Sequence, residues 1–95
     1  MRSLLIVRRI VGQSMLPTLL PDSLVIATGF YRRIAKGDLV IFAHQGIYKI
    51  KRIEKIRGSQ FYALGDNAPG SSDSRAFGWL AITSIKAKVI WPQPK

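Results

Sequence analysis

The chain of 95 residues contains no cysteine and a single histidine, His44. Without cysteine, a disulfide framework, a thiolate zinc site and a cysteine nucleophile are all excluded. One histidine alone disfavours a histidine-based metal cluster and a Ser-His-Asp triad. Long apolar runs are also missing, since the run Leu4–Val7 ends at Arg8, far short of the about 20 residues of a membrane-spanning helix. We therefore expect no membrane anchor and no export signal in this sequence.

Acidic residues are scarce as well. Five Asp and Glu residues stand against fifteen Lys and Arg residues, which gives a formal net charge of +10 at pH 7. Such an excess of positive charge favours nucleic acid, anionic lipid or an acidic partner. The length and the hydrophobic content of 47% predict one small folded domain, residues 1–95, rather than a disordered chain.

Short runs rich in Val, Ile, Phe and Tyr, bounded by Gly, Pro, Asn and Asp, predict β-strands. The predicted strands are Leu4–Val11, Leu24–Thr28, Asp38–Ala43, Ile47–Ile56, Gln60–Leu64 and Ile82–Trp91. Gln45-Gly46 predicts a hairpin turn, and Arg57-Gly58-Ser59 predicts a second turn. No stretch combines a helical period with helix caps. We therefore predict an all-β fold, a small and partly closed β-barrel.

The predicted strand Ile47–Ile56 departs from simple alternation, because isoleucine recurs at every third residue. That spacing is closer to a helical stripe than to a strand pattern. However, β-branched residues line the segment and glycines bracket it, which favours a strand. A β-bulge would reconcile the spacing with a sheet.

A serine at the exit of the first predicted strand is the first candidate functional group. Ser14 follows Gly12, which permits backbone conformations that a side chain forbids, and it precedes Pro17, which ends the extended run. A hydroxyl presented there, with neighbouring amides aimed at one point, suits a nucleophile with an oxyanion hole. The alternative is a serine that caps one short turn.

A serine nucleophile needs a base, and lysine is the residue type that the composition leaves for this role. Lys49 and Lys51 lie on one face of the same predicted strand. A lysine acts as a base only when it is neutral near pH 7, so its pKa must fall from about 10.4 to about 7–8, for which apolar burial is the usual cause. The alternative is a solvated basic stripe that also contains Arg52.

A long polar loop, residues 64–78, is the third candidate. It is rich in glycine and serine and lies between predicted strands, and loops of this kind often carry function. Asp73 and Arg75 are expected to pair, and the hydroxyls of Ser71 and of the serines on either side of Asp73 are expected to orient a neighbouring ammonium group. The alternative is one elaborate turn.

In their order along the chain, these stretches resemble the type I signal peptidase family of serine proteases, which use a Ser/Lys dyad. The matching motifs are Gly12-x-Ser14-Met-x-Pro-Thr-Leu, Gly37-Asp38-Leu-Val, Lys51-Arg52-Ile and Gly65-Asp66-Asn67-x-x-x-Ser71-x-Asp73-Ser-Arg75-x-Phe-Gly. The resemblance covers most of the chain, and the long fourth motif is its most specific part.

The resemblance implies a role for each matching residue. Ser14 is then the nucleophile and Lys51 its general base, which leaves Lys49 on the surface. Ser71 is expected to hydrogen-bond Lys51. Asp73 and Arg75 are expected to form a supporting pair beneath the site, and the Gly-Asp turn of the second motif is expected to be structural. Members of the family need no metal and no cofactor, so we expect neither here.

This sequence departs from the family pattern in several respects. Gram-negative members commonly carry a serine two residues before the nucleophile, where this chain has Gly12, so the oxyanion would be stabilised mainly by the Ser14 amide. Only Ile53–Leu64 separates the lysine from the Gly-Asp-Asn motif, which implies a minimal catalytic core. The membrane anchor that usually precedes the serine motif is absent from this sequence.

The implied activity is that of a serine endopeptidase. It would remove a leader or signal peptide, after small residues, from a precursor protein that is bound as an added strand. Such an enzyme would be peripheral to the membrane, held by its basic, partly apolar surface or by a partner. Small anchorless relatives that trim the N-terminus of nickel superoxide dismutase also resemble this chain, which implies a soluble, cytoplasmic maturation protease instead. A basic β-barrel that binds nucleic acid is disfavoured, because it leaves the fourth motif unexplained.

Overall fold

The computed structural model describes residues 5–93 of the chain, and their regular structure is mainly an antiparallel β-sheet. The strands are β1 (Ile6–Arg9), β2 (Leu24–Thr28), β3 (Leu39–His44), β4 (Ile47–Arg57), β5 (Gln60–Leu64), β6 (Leu80–Ala81) and β7 (Ile85–Trp91). A helix of one turn, α1 (Ser74–Phe77), lies between β5 and β6. Over residues 5–93, no helix has the length and apolar character that crossing a bilayer requires.

Most predicted strands match observed ones closely, and the exceptions lie at the two ends of the sequence. The prediction for Leu4–Val11 is too long, because strand pairing ends at Arg9, while Leu4 lies outside the described residues. The prediction for Ile82–Trp91 is wrong over its first three residues. Ile82–Ser84 forms a 3-10 helix that turns the chain from β6 into β7.

The sheet is open. Its strands are ordered β1-β2-β7-β3-β4-β5-β6, and each neighbouring pair is antiparallel. Within the described residues the outer strands are β1 and β6, which do not pair with each other. The predicted all-β fold is therefore confirmed, in the form of a sheet that stops short of closing into a barrel.

Two apolar cores lie on opposite faces of the central strand β3. Leu39 and Ile41 point into the first core, whereas Val40 and Phe42 point into the second. This alternation explains the continuous apolar run of β3, since both of its faces are covered. The buried residues of the first core are Ile10, Met15, Leu19, Val25, Ala27, Leu39, Ile41, Ala87 and Val89. Those of the second core are Val40, Phe42, Ile53, Phe61, Ala63 and Ile85.

The hairpin of β3 and β4 carries the local features that the sequence indicates. Gln45 and Gly46 both have positive φ angles, 51° and 77°, as a two-residue hairpin turn requires. Between Ile53 and Lys55 the register of β4 against β5 shifts by one residue. This irregularity is the expected bulge, and it lets isoleucine recur out of phase along an otherwise continuous strand.

Strand β4 changes its partner along its length. Residues 47–52 pair with β3, and residues 52–57 pair with β5. Lys51 and Arg52 therefore lie where β4 passes from pairing with β3 to pairing with β5. Within residues 5–93, no strand pairs with the second edge of residues 47–51.

Candidate active site

Ser14 lies in the loop that follows β1. Where the backbone leaves the sheet, Ile10 exchanges hydrogen bonds with Asp22 and Ser23, just before β2. Gly12 then adopts a φ angle of 82°, a conformation that favours glycine. After Ser14 the chain makes one helical turn, in which the Leu19 amide donates to the Met15 carbonyl at 2.9 Å. Met15 and Leu19 are buried in the first core. The serine is thus fixed from both sides, and its side chain is half-buried.

The side chain of Lys51 lies against this serine. Its Nζ atom donates a hydrogen bond to Ser14 Oγ at 2.7 Å, and the lysine is only 5% exposed. Burial lowers the pKa of the Lys51 amine below its ordinary value. The neighbouring charge of Lys49 lowers this pKa further, and the Asp73 carboxylate opposes both effects. Of the two lysines that the sequence leaves open, the one in contact with the serine is Lys51, while Lys49 is half-buried.

Asp73 is the buried anchor of the polar loop. Its side chain is 1% exposed and accepts hydrogen bonds from the Ser71 hydroxyl (2.6 Å), the Gly65 amide (2.7 Å) and Arg75 Nε (3.0 Å). Burial alone would raise the pKa of Asp73, but the bonds from Arg75, Ser71 and Gly65 outweigh it and keep this pKa well below its usual range. Asp73 and Arg75 pair as predicted.

The loop hydroxyls do not take the partners expected of them. Ser71, expected to hydrogen-bond Lys51, donates to Asp73 instead, because a buried carboxylate is the stronger acceptor. Ser74, which is buried, accepts from the Ala63 amide at 2.9 Å and so joins α1 to β5. Ser71 and Ser74 therefore bind a carboxylate and a strand amide rather than an ammonium group.

Gly65 brings the polar loop into contact with the serine loop. A Cβ atom at this position would collide with the Ser71 hydroxyl and would lie 2.7 Å from the Ser14 carbonyl oxygen. Only glycine therefore allows the two loops to approach this closely. The Asn67 amide donates to the same Ser14 carbonyl at 2.8 Å, and Asn67 Nδ2 donates to the Gln13 carbonyl at 3.0 Å.

Thr18, Arg52 and Asp66 form a further cluster, to which the sequence argument gave no role. Asp66 accepts two hydrogen bonds from Arg52, at 3.0 and 2.9 Å, and a third from the Thr18 hydroxyl. Burial would raise the pKa of Asp66, but the bonds from Arg52 and Thr18 lower it. The signal in the sequence was the adjacent Asp-Asn pair after β5, since such side chains commonly bond nearby backbone and donor groups.

Other candidate chemistry lies apart from the Ser14 contact. His44 ends β3 with its ring stacked on Phe77, the ring centroids 4.1 Å apart, and its side chain is half-buried. Over residues 5–93, no three His, Cys, Asp or Glu side chains come together as metal ligands. The remaining arrangement is a hydroxyl beside a desolvated amine. An amine of this kind, when neutral, can accept a proton from the alcohol.

A model of the Peptidase S24-like family matches residues 2–76 of the chain. The matched segment includes Ser14, Lys51, Asp73 and Arg75 and covers most of the sequence, so the molecule is a peptidase of the serine type. It belongs to the Peptidase S24-like family, and the serine protease family predicted from the motifs is confirmed at this level. Among curated proteins, no significant match to the chain is found.

Proposed function

We propose that the chain is an endopeptidase that uses Ser14 as nucleophile and Lys51 as general base. The observation that carries this proposal is the contact of 2.7 Å between Lys51 Nζ and Ser14 Oγ, made by an amine that is 5% exposed. Desolvation favours the neutral amine, and only the neutral amine has a lone pair for the serine proton.

The reaction then follows in two stages. Lys51 takes the proton of the Ser14 hydroxyl as the oxygen attacks the scissile carbonyl, and the resulting ammonium returns that proton to the departing amine. This step breaks the peptide bond and leaves an ester on Ser14. Lys51, neutral again, then deprotonates a water molecule that hydrolyses the ester, and the serine hydroxyl regains a proton from the lysine.

The oxyanion would be stabilised mainly by the Ser14 amide. Among the described residues this N–H has no acceptor, so it is available to the substrate. Gly12 adopts a positive φ angle just before it and carries no side chain that could obstruct the approach. One such donor contributes about 3–4 kcal/mol to transition-state stabilisation.

A precursor protein would bind as an added strand between β1 and the first half of β4. Two main-chain edges support this, namely the outer edge of β1 and the second edge of residues 47–51. Between them lies a cavity of about 100 Å³, which suits small side chains of the substrate. The proposed reaction is removal of a leader or signal peptide after small residues, with no metal and no cofactor.

Contact with a membrane surface is supported by one apolar patch. Val7, Leu24 and Trp91 are about half exposed, and the strand register places them on the same face of β1, β2 and β7. Such a patch suits a peripheral attachment to lipid. Recovery of the protein entirely in the soluble fraction of its cells would instead favour a soluble maturation protease that trims one precursor.

The proposed chemistry is tested with a library of peptides that carry Ala, Gly or Ser at one position. We expect Ser14→Ala to abolish cleavage and Lys51→Met to reduce kcat/KM by about 10²–10⁴-fold, as measured by mass spectrometry of the products. Lys55→Met is the matched control, because this exposed lysine lies on the same strand four residues further on. Full activity of a folded Lys51→Met variant would rule out the dyad.

A further inference from the structure

Two adjoining cavities form a trough between β1 and β4. The first has a volume of about 100 Å³ and the second about 160 Å³, and both are lined by Arg8, Ile41 and Tyr48. Arg9 and Lys49 line the first cavity in addition, and Lys86 lines the second. The trough is thus continuous, and it lies on the side of β4 where the substrate strand is proposed to bind.

The charges along this trough are all of one sign. Its lining contains the cations Arg8, Arg9, Lys49 and Lys86 and no carboxylate, and the remaining lining is apolar except for Tyr48. Among residues 5–93, the ion pairs are formed by other cations, namely Arg52, Arg75 and Lys88. The guanidinium groups of Arg8 and Arg9 donate only to backbone carbonyls.

We propose that this trough selects an acidic substrate, a peptide that carries Asp or Glu in the extended segment bound beside the site. The proposal rests on the proposed function and names its substrate class. These four cations have no acidic partner among residues 5–93, so they create a positive potential in a partly apolar groove, where a carboxylate gains more than it does in open water. A neutral side chain gains no such attraction there, and a basic side chain is repelled.

The register of β4 indicates where the acidic side chain lies. Lys49 is two residues from Lys51 on the same strand face, and two residues of a strand span about 7 Å. Arg8 and Arg9 lie further from Ser14 along β1. The acidic residue is therefore expected at least two positions from the scissile bond, leaving the adjacent position for a small residue.

A peptide fits this trough better than a nucleic acid does. Within residues 5–93, both sides of the trough offer main-chain edges that no strand pairs with, and an extended peptide can add a strand there whereas a nucleic acid cannot. Base stacking needs aromatic platforms, and Tyr48 is the single aromatic side chain in the lining of these two cavities.

The test uses peptides that differ only by Asp against Asn, with the substitution moved along the sequence from two to five residues on either side of the small residue. We expect kcat/KM to be about tenfold higher for the Asp peptide at the favoured position. Arg8→Glu should remove this preference and favour a Lys peptide. Arg32→Glu, the same charge change in an exposed loop, should keep the preference for Asp.

Binding to the Ser14→Ala variant separates this proposal from the proposed chemistry. Fluorescence anisotropy of labelled Asp and Asn peptides needs no turnover, and the Asp peptide should bind about tenfold tighter at low salt. If the Asp peptide binds more tightly but the wild-type chain cleaves neither peptide, the proposed acidic preference stands and the proposed Ser14/Lys51 chemistry is rejected. Cleavage with equal rates for Asp and Asn peptides would overturn the acidic preference alone. An unlabelled oligonucleotide that displaces the Asp peptide more effectively than a second Asp peptide would overturn it as well.

Discussion

The pKa of the Lys51 amine depends on its burial and on two charged neighbours that act in opposite directions. Burial against the sheet and the charge of Lys49 both lower its pKa, whereas Asp73 raises it. Asp73 is itself engaged by Arg75, Ser71 and the backbone, so much of its charge is already compensated. The balance leaves an amine that is easier to deprotonate than a lysine in water.

Lys49→Met removes one of these influences. Without a like charge two residues away, the pKa of Lys51 rises, because the ammonium form is no longer repelled. We expect the acidic limb of the profile of kcat/KM against pH to move to higher pH, measured with a neutral peptide.

Lys55→Met provides the control, since it deletes the same charge from an exposed part of β4. Its acidic limb should coincide with that of the wild-type protein. A Lys49→Met profile superimposable on both would show that Lys49 does not influence the base.

The residues alone could not choose between the two lysines. Lys49 and Lys51 share a strand face and similar neighbours in the sequence, and the difference lies in burial, which depends on residues far along the chain. The motif resemblance selected Lys51 and named Ser14. It could not predict that Ser71 turns to Asp73, because that choice depends on how deeply the carboxylate is buried.

Among the elements, α1 and β5 are joined by Asp73, which also binds a serine of the polar loop. It is the N-cap of α1, where its side chain accepts from the Arg75 amide at 3.1 Å, and it also receives the Gly65 amide at the end of β5 and the Ser71 hydroxyl. A buried acceptor with this many donors fixes a loop that lacks a regular ladder of its own.

Asp73→Asn should lower the free energy of unfolding at pH 7 by about 2–3 kcal/mol, because charged hydrogen bonds are replaced by neutral ones in a buried site. The Arg75 side chain is 42% exposed, so its ion pair contributes less than the buried donors. The folded-state pKa of Asp73 is depressed, so its stabilisation is full above the ordinary carboxyl pKa of about 4 and is lost as pH falls below it.

Urea unfolding at pH 7 and pH 3 measures how much the free energy of unfolding differs between wild type and Asp73→Asn. This difference should be smaller at pH 3. Asp22→Asn, in an exposed turn where asparagine also tolerates the positive φ of 68°, should change stability little at either pH. A gap for Asp73→Asn that is the same size at both pH values would contradict the assigned charge.

Element boundaries were predictable where local chemistry decides them. Gln45-Gly46 sets the β3–β4 turn, and the isoleucine spacing indicates the bulge in β4. The strand β6 has only two residues, too few to leave a pattern in the sequence. Its position depends on pairing with β5, which is a tertiary contact.

For the whole molecule, the site depends on both apolar cores. The serine loop is fixed by Met15 and Leu19 in the first core, while Phe77 of α1 packs against the second. Lys51 stands on the strand that runs between them, opposite Val40 of β3. The meeting of residues 14, 51 and 65 is a consequence of the strand order, which no local pattern in the sequence encodes.

The uneven pairing of β4 leaves one edge of its first half open to an added strand. Among residues 5–93, residues 47–51 pair with β3 alone and residues 55–57 pair with β5 alone, while Arg52 pairs with both. The outward-facing amides of both ends of β4 should therefore exchange fast with deuterium in the free protein. Saturating the Ser14→Ala variant with a substrate peptide should slow exchange in residues 47–51 and leave residues 55–57 unchanged, and unchanged exchange in residues 47–51 would argue against an added strand. The backbone of β4 thus reports substrate occupancy without an attached probe and without catalysis.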